Sequence, residues 1–247
     1  MAYQSIFKRY ELKYLLSAEQ KDAVLRAIAP FMARDRYGRT VIRNLYYDTD
    51  TYRLIRRSIE KPVYKEKLRV RSYARAEGGD AVFVELKKKY DGVVYKRRIA
   101  LPYGEAMAWL AGEAHCGGET QIADEIDYFL AYYETLRPRV FLSYEREAYF
   151  ETSGGDFRVT FDENILAREE RLSLAEAPFG ALLLPSGQTL MEIKCAGGIP
   201  LPLVHAMREA GICKSSFSKY GTAYTEMILP RLRQSQNLLQ KETVYHA

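Results

Sequence analysis

The chain has 247 residues, of which 47% are hydrophobic and 28% are charged, and 37 Lys+Arg against 32 Asp+Glu give a formal net charge of +5. This composition is typical of a globular protein and excludes an intrinsically disordered one. No apolar run reaches the roughly 18 residues of a membrane-spanning helix, and the N-terminus lacks the apolar segment of a signal peptide. We therefore predict a cytoplasmic protein with one domain over 1–247, a core of about 7–228 and a polar tail of about 234–247.

Several motifs that would indicate other chemistries are missing from the sequence. Three cysteines without C-x-x-C spacing favour neither a disulfide framework nor a structural zinc site. The sequence has no G-K dipeptide and no G-x-G, so it contains neither a P-loop nor a dinucleotide-binding fingerprint. Any phosphate group would therefore be held by side chains.

Hydrophobic periodicity predicts eight strands and five helices along the chain. A capping box at Ser17 and Gln20 begins the first helix, which Pro30 is expected to kink or end. In chain order the predicted elements are a strand over 7–14, a helix from 17 to about 32, strands over 40–48, 64–73, 82–89 and 93–101, a short helix near 105–111, a helix over 121–136, strands over 139–149, 157–162 and 190–195, and helices over 203–210 and 216–228.

Six of these strands alternate charged residues with apolar ones, so each places its charges on one face. For a single strand, the ordinary explanation is the solvated face of an antiparallel sheet. Together, however, the six faces carry eleven basic residues and only four acidic ones, Glu11, Glu85, Asp162 and Glu192. The basic residues are Arg9, Lys13, Lys67, Arg69, Arg71, Lys87, Lys89, Lys96, Arg98, Arg158 and Lys194.

The apolar faces can be covered by the predicted helices, which leaves the charged faces to line the inside of a closed sheet. We therefore predict an α+β fold in which an eight-stranded antiparallel β-barrel forms a tunnel flanked by helices. Like charges that face one another repel unless an anion lies between them, and Arg and Lys suit phosphate. Glu11, Glu85 and Glu192 are then available as oxygen ligands for Mg²⁺ or Mn²⁺, or alternatively as ion-pair partners of the basic residues.

The order of several short motifs resembles a known family. They are Arg9-Tyr-Glu-Leu-Lys13, Tyr46-Tyr-Asp-Thr49, Lys67-x-Arg-x-Arg71, Glu85-Leu-Lys87, Lys96-x-Arg98, Tyr144-Glu-Arg146, Arg158-Val-Thr-Phe-Asp162, Glu192-Ile-Lys194 and Ser218-Lys-Tyr220. This series is similar to the vacuolar transporter chaperone (VTC) polyphosphate polymerase domain, a branch of the triphosphate tunnel metalloenzymes. The resemblance covers residues from about Phe7 to Tyr224 and implies that nucleoside triphosphate is used to extend polyphosphate.

The resemblance also implies roles for individual residues. The residues that would hold the phosphates are Lys13, Arg69, Arg71, Lys87, Lys96, Arg98, Arg146 and Arg158, with Lys219 at one tunnel mouth. Glu192 would bind the metal with Glu85 as a second candidate, and further ligand contacts are expected from Arg9, Glu11, Lys67, Lys89 and Lys194.

Two of these positions depart from simple expectation. Arg146 lies off the parity of Arg139 and Ser143, so a bulge or another register is needed to point it inward. Arg9 stands where the tunnel hydrolases have the first acid of Glu-x-Glu-x-Lys, which favours the polymerase branch. The fungal complexes of this family also carry a phosphate-sensing domain and membrane helices, for which this sequence has no room, so we expect a stand-alone catalytic domain.

Four functions remain open at this point. The first is a metal-dependent polyphosphate polymerase that uses the ATP γ-phosphate, and the second is a triphosphate hydrolase with water as acceptor. The third is a non-catalytic polyphosphate-binding module, with a membrane partner able to accept product in the polymerase case. Nucleic-acid binding ranks below these, because the stacking residues Tyr10 and Tyr14 are expected on the face opposite the basic one.

Overall fold

The computed structural model describes residues 10–91, 93–116 and 120–235, which form a large antiparallel sheet with helices packed around it. This is the α+β class that the sequence predicts. The strands are β1 Tyr10–Leu16, β2 Met32–Asp48, β3 Tyr64–Ser72, β4 Ala81–Tyr90, β5 Val93–Pro102, β6 Arg137–Glu151, β7 Arg158–Arg168, β8 Ala181–Leu182, β9 Thr189–Cys195 and β10 Lys214–Ser215. The helices are α1 Ala18–Ile28, α2 Arg53–Ile59, α3 Tyr103–Leu110, α4 Gln121–Tyr133, α5 Leu201–Glu209 and α6 Lys219–Ala223.

The sheet has the strand order β10-β1-β9-β7-β6-β2-β3-β4-β5, with β8 paired to β7. All of the pairings are antiparallel, as predicted. The sheet has ten strands rather than eight, and within the described residues no pairing joins β10 to β5, so the hydrogen-bonded ladder is not closed. The expected closed barrel is therefore an open, curled sheet.

Side chains bridge the two ends of the curled sheet where backbone hydrogen bonds do not. Nζ of Lys87 on β4 lies 3.4 Å from Oε2 of Glu11 on β1. These two strands are separated by five others along the sheet, so the sheet must curve strongly to bring them together. The concave face that results encloses the charged side chains.

The hydrophobic core forms three clusters, of which the second includes Tyr46, Tyr144 and Tyr220 of the concave face. Trp109 and Phe129, from α3 and α4, pack with apolar residues of β3 and β4. Ile55 of α2 and Tyr220 of α6 pack with residues of β2, β6 and β7, and α1 and α5 join β1, β7 and β9 in the third cluster. Because the helices of the first and third clusters cover the apolar face of the sheet, its polar side chains are left to face the interior.

The first helix begins as the sequence predicts and ends earlier. The Ser17 hydroxyl accepts from the Gln20 backbone N–H at 3.3 Å, and the Gln20 side chain accepts from the Ser17 N–H at 2.9 Å. The helix ends at Ile28, and Met32 begins β2 instead of continuing the helical pattern. Pro30 explains the difference, because proline has no N–H to donate within a helix.

Two other helical segments, α2 and the turn that follows α6, also differ from the sequence prediction. α2 was not predicted, and its N-cap residue Tyr52 has a left-handed φ of 56° without a side-chain cap. After α6, a π-helical turn over Tyr224–Ile228 leads into helical residues 229–235, so the helix continues past Pro230. Among the described residues, no helix is both long enough and apolar enough to cross a bilayer.

Candidate functional site

The concave face of the sheet encloses a cavity of about 620 Å³. Its walls carry ten basic residues against four acidic ones, Glu11, Glu85, Asp91 and Glu192. The basic residues are Lys13, Lys67, Arg69, Arg71, Lys87, Lys96, Arg97, Arg146, Lys194 and Lys219. Strands β1, β3, β4, β5, β6 and β9 all contribute to this set, so five of the six basic faces predicted separately from the sequence meet around one space, and the face with Arg158 on β7 does not contribute.

Glu85 anchors the basic residues of one wall. Its Oε2 lies 2.7 Å from Nη2 of Arg69, and its Oε1 lies 2.6 Å from Nζ of Lys96. Arg71 and Arg98 are farther away, at 3.9 Å and 3.6 Å. Burial opposes ionisation of a side chain that is only 1% exposed, yet the surrounding cations lower the pKa of Glu85 to about 2. Glu85 thus stays charged and keeps its neighbours in place.

Glu192 lies on the facing wall among four cations. Its carboxylate oxygens are 3.4 Å from Nζ of Lys219, 3.6 Å from Nζ of Lys13, 3.7 Å from Nη2 of Arg146 and 3.9 Å from Nζ of Lys194. Burial again opposes the charged form, but Lys219, Lys13 and Arg146 hold the pKa of Glu192 well below its usual range. These distances are longer than those around Glu85, so Glu192 is paired more loosely.

Among the basic residues that line the cavity, Lys67 has the positive charge that nearby carboxylates balance least. Within the described residues no carboxylate lies at ion-pair distance from its ammonium group, which sits 5.9 Å from the ring centre of Tyr220. Burial, together with Lys87 and Lys13, lowers the pKa of Lys67 to about 8. Nearby, the Tyr46 hydroxyl accepts from Nη1 of Arg69 at 2.9 Å, and despite burial Arg69 and Lys67 lower its pKa to about 8. This part of the cavity is short of negative charge.

The acidic residues fit a divalent cation only in combination with a phosphate ligand. No group of three His, Cys, Asp or Glu side chains that could hold a metal ion occurs in the described part of the chain. Glu192 and Glu11 do face the same cavity, and although burial and the charge of Glu192 oppose ionisation, Lys87 and Lys13 hold the pKa of Glu11 below its usual value. Two carboxylates suit Mg²⁺, which takes its remaining ligands from water and substrate phosphates. Glu85 is a poorer candidate, because Arg69 at 2.7 Å and Lys96 at 2.6 Å already occupy its two carboxylate oxygens.

The structure brings most of the predicted site residues together. Those that line the cavity are Lys13, Arg69, Arg71, Lys87, Lys96, Arg146, Lys219, Glu11, Lys67, Lys194, Glu192 and Glu85. Arg98, Lys89 and Arg158 are not among the lining residues. Arg98 instead stacks on Phe83, with its guanidinium carbon 3.5 Å from the ring centre. Arg9 lies outside the described residues.

The tyrosines of the cavity were not predicted as site residues. Tyr10, Tyr46, Tyr95, Tyr144 and Tyr220 all line it. The expectation that Tyr10 faces away from the basic residues is therefore wrong, and the absence of aromatic residues on the basic face no longer argues against nucleic acid. A signal was present for two of them, since Tyr46 shares its face with Asn44 and Tyr144 has the parity of Arg146.

Arg146 reaches the cavity because the even-numbered residues of β6 face inward at this point. Arg146 pairs with Asp162 of β7 in register, and Tyr144 has the same parity. A register shift does occur between Ser143 and Glu145 in the pairing of β6 with β7, but its extra residue lies on β7, so it leaves the parity of β6 unchanged and is not what points Arg146 inward. On β7 it coincides with Asn164, whose φ is 49°.

A family comparison can now be set beside this geometry. A sequence model of the VTC domain matches residues 8–228. The chain belongs to the VTC domain family. The resemblance found from the short motifs is thus confirmed over most of the VTC domain described above. None of the curated proteins matches the chain.

Solved structures support the fold of this VTC domain. A candidate adenylate cyclase from Bacillus halodurans is 15% identical with a TM-score of 0.53, over 87% of this chain and 96% of that one. A candidate adenylate cyclase from Vibrio parahaemolyticus is 13% identical with a TM-score of 0.47, over 90% and 100%. A candidate adenylyl cyclase from Hippeastrum, described as having a dominant triphosphatase activity, is 19% identical with a TM-score of 0.47, over 85% and 92%. The first of these shows a shared fold.

Proposed function

We propose that this VTC domain binds triphosphate and polyphosphate chains in its cavity and acts as a polyphosphate polymerase that uses the ATP γ-phosphate. The observation that carries the proposal is the lining of the cavity by ten basic and four acidic side chains. A phosphate chain has a negative charge on each unit, so it would offset the excess positive charge along the whole cavity. Arg and Lys together supply paired hydrogen bonds and point charges for phosphate oxygens.

The wall around Glu85 is suited to holding phosphates that are not transferred. Arg69 and Lys96 each contact Glu85, which fixes their positions and reduces their mutual repulsion. Their remaining N–H groups are free to face a ligand, and Arg71 and Lys87 extend the same wall. A phosphate chain bound here would be oriented by fixed donors rather than by flexible ones.

The wall around Glu192 is suited to the transfer step. In the proposed reaction an oxygen of the terminal phosphate of a bound chain attacks the γ-phosphorus of ATP, the bond from that phosphorus to the β-bridging oxygen breaks, and ADP leaves. Arg146 and Lys219 would offset the charge that develops on the transferred group and on the departing oxygen. A bound Mg²⁺ or Mn²⁺, held by Glu192 with Glu11, would add Lewis-acid charge at the phosphate oxygens.

A second candidate function is triphosphate hydrolysis in the same cavity. The open edge between β1 and the β4–β5 end of the sheet favours it, because water can reach a bound phosphate through a gap that, among the described residues, side chains bridge and backbone hydrogen bonds do not. The triphosphatase activity described for the Hippeastrum protein belongs to a chain that is 19% identical. Hydrolase and polymerase differ only in the acceptor, so the products distinguish them.

The substitution Glu192→Gln tests whether the cavity is catalytic. It removes one charge and keeps the shape of the side chain, so we expect a loss of turnover of about 10²-fold or more. Binding of tripolyphosphate without metal, measured by calorimetry, should be retained or tighter because a negative charge has been removed. Glu147→Gln is the control, since Glu147 pairs with Lys21 and Arg34 outside the cavity. Equal turnover by wild type and Glu192→Gln would refute the catalytic proposal in favour of a binding module.

A further inference from the structure

Asp162 of β7 is a buried acid that neither the family match nor the cavity lining assigns to any task. Its side chain is 0% exposed, and it lies behind Arg146 and Lys219, which do line the cavity. A ligand in the cavity therefore cannot touch Asp162. Whatever Asp162 does for such a ligand, it does through these two cations.

Asp162 makes short charge-assisted hydrogen bonds to both of these cations. Nε of Arg146 donates to Oδ1 at 2.6 Å, and Nη2 of Arg146 donates to Oδ2 at 2.6 Å. Nζ of Lys219 donates to the same Oδ2 at 2.5 Å. A paired fork to a carboxylate fixes the plane of the guanidinium as well as its distance. Asp162 thus sets both the orientation of Arg146 and the position of Lys219.

Comparison with Glu192 shows which acid fixes the geometry. The same two cations lie 3.7 Å and 3.4 Å from Glu192, about an ångström farther than from Asp162. Arg146 and Lys219 can therefore leave Glu192 to contact a ligand, whereas Asp162 keeps its hydrogen bonds to both on the side away from the cavity. Burial opposes the charge on Asp162, but Arg146 and Lys219 keep its pKa below the usual range.

We propose that Asp162 is a positioning residue, which aligns Arg146 and Lys219 toward the phosphate group that is transferred. This inference rests on the proposed function. The negative charge of Asp162 also opposes the binding of a polyanion, since it offsets part of the attraction that the two cations exert. Asp162 therefore weakens ground-state binding while improving alignment for the transfer step.

The proposal predicts opposite effects on binding and turnover in Asp162→Asn. We expect kcat to fall about 10²-fold, because misplacement by about an ångström costs this much. We expect tripolyphosphate to bind as tightly as to wild type or more tightly, measured by calorimetry without metal. A residue with only a structural task would lower both quantities together with the melting temperature, and that result would overturn the proposal, as would an unchanged kcat.

Glu163→Gln is a matched control on the next residue of the same strand. Glu163 points to the other face of the sheet, where it lies 2.7 Å from Nζ of Lys21 and 2.8 Å from Nη2 of Arg39. It therefore also holds two cations and loses the same charge. Since neither cation lines the phosphate cavity, its kcat and its affinity for tripolyphosphate should equal those of wild type.

A second variant and a binding measurement cover the cases in which Asp162→Asn does not fold or the protein has no activity. If Asp162→Asn does not fold, Asp162→Glu retains the charge and displaces the carboxylate by one methylene, so kcat should fall while binding is kept. A wild-type kcat for that variant would overturn the proposal. If wild-type protein turns over neither ATP nor tripolyphosphate, the proposed function fails. The role of Asp162 is then tested by the affinity for tripolyphosphate alone. Tighter binding by Asp162→Asn than by wild type supports that role, and weaker binding refutes it.

Discussion

Of the basic residues that line the cavity in the described part of the chain, Lys67 is the one with no carboxylate at ion-pair distance. Burial raises the free energy of its charged form, and the neighbouring Lys87 and Lys13 add repulsion, which together lower the pKa of Lys67 to about 8. A phosphate ligand would reverse this balance by supplying the missing negative charge. The charge state of Lys67 should therefore control part of the affinity for phosphate.

We predict that the affinity of wild-type protein for tripolyphosphate decreases as pH rises through about 8, because Lys67 then loses its proton. An ion pair at about 4 Å is worth about 1 kcal/mol even in bulk water, so the loss should be about fivefold or more. Calorimetric titrations across this pH range measure it, and the Lys67→Arg variant is the control.

Arginine keeps its charge at these pH values, so Lys67→Arg should lose less affinity than wild type as pH rises. Ionisation of tripolyphosphate and of Lys194, whose pKa burial also lowers to about 8, affects both proteins alike. The ratio of the wild-type affinity to the Lys67→Arg affinity therefore reports the protonation of Lys67 alone. A ratio that does not change with pH would show that Lys67 does not contact the ligand.

At the scale of elements, Asp48 ties two helices to the sheet. Its Oδ1 accepts from the backbone N–H of Leu54 at 2.9 Å, and its Oδ2 accepts from that of Ile55 at 3.0 Å, both at the start of α2. The hydroxyl of Tyr220 in α6 donates to Oδ2 at 2.9 Å. Asp48 is completely buried, so each of these bonds is sheltered from water. The position of Lys219, which precedes Tyr220, depends on this connection.

We predict that Asp48→Asn lowers the free energy of unfolding by about 1–3 kcal/mol, because the NH2 group that replaces one carboxylate oxygen cannot accept from the buried donors at that position. Urea unfolding measures the change. Asp50→Asn is the control: Asp50 is 49% exposed and pairs at the surface with Arg137, so its loss should cost less than about 0.5 kcal/mol. Equal stability of Asp48→Asn and wild type would contradict this account of the two helices.

The helices also show why one start was predictable and another was not. The cap of α1 is local, since Ser17 and Gln20 are three residues apart and the motif can be read from the sequence. The cap of α2 comes from Asp48, several residues earlier and at the end of a strand, and the N-cap position itself is Tyr52 in a left-handed conformation. The usual sequence signals for a helix start concern the N-cap residue and its neighbours, so they do not predict a cap supplied by Asp48.

For the whole molecule, the period-two pattern predicted the charged faces and hence most of the cavity lining. Arg98 and Arg158 have the correct parity but lie outside the lining, because parity determines the face of a strand and not the position along the tunnel. Closure of the sheet could not be predicted either, since it depends on whether β1 and β5 exchange backbone hydrogen bonds after the sheet has curled. The tight pairing of Asp162 with Lys219 joins a strand to a helix that is far away in sequence.

The most direct test of the central claim is product analysis with purified protein. ATP and Mn²⁺ or Mg²⁺ are incubated with the protein, with and without a short polyphosphate primer, and ADP, free phosphate and long-chain polyphosphate are measured together. The account predicts that ADP is matched by phosphate units in polyphosphate and that the primer accelerates the reaction. ADP matched by free phosphate would assign a hydrolase instead. Absence of ADP and of polyphosphate, with tripolyphosphate still bound tightly, would contradict a catalytic role.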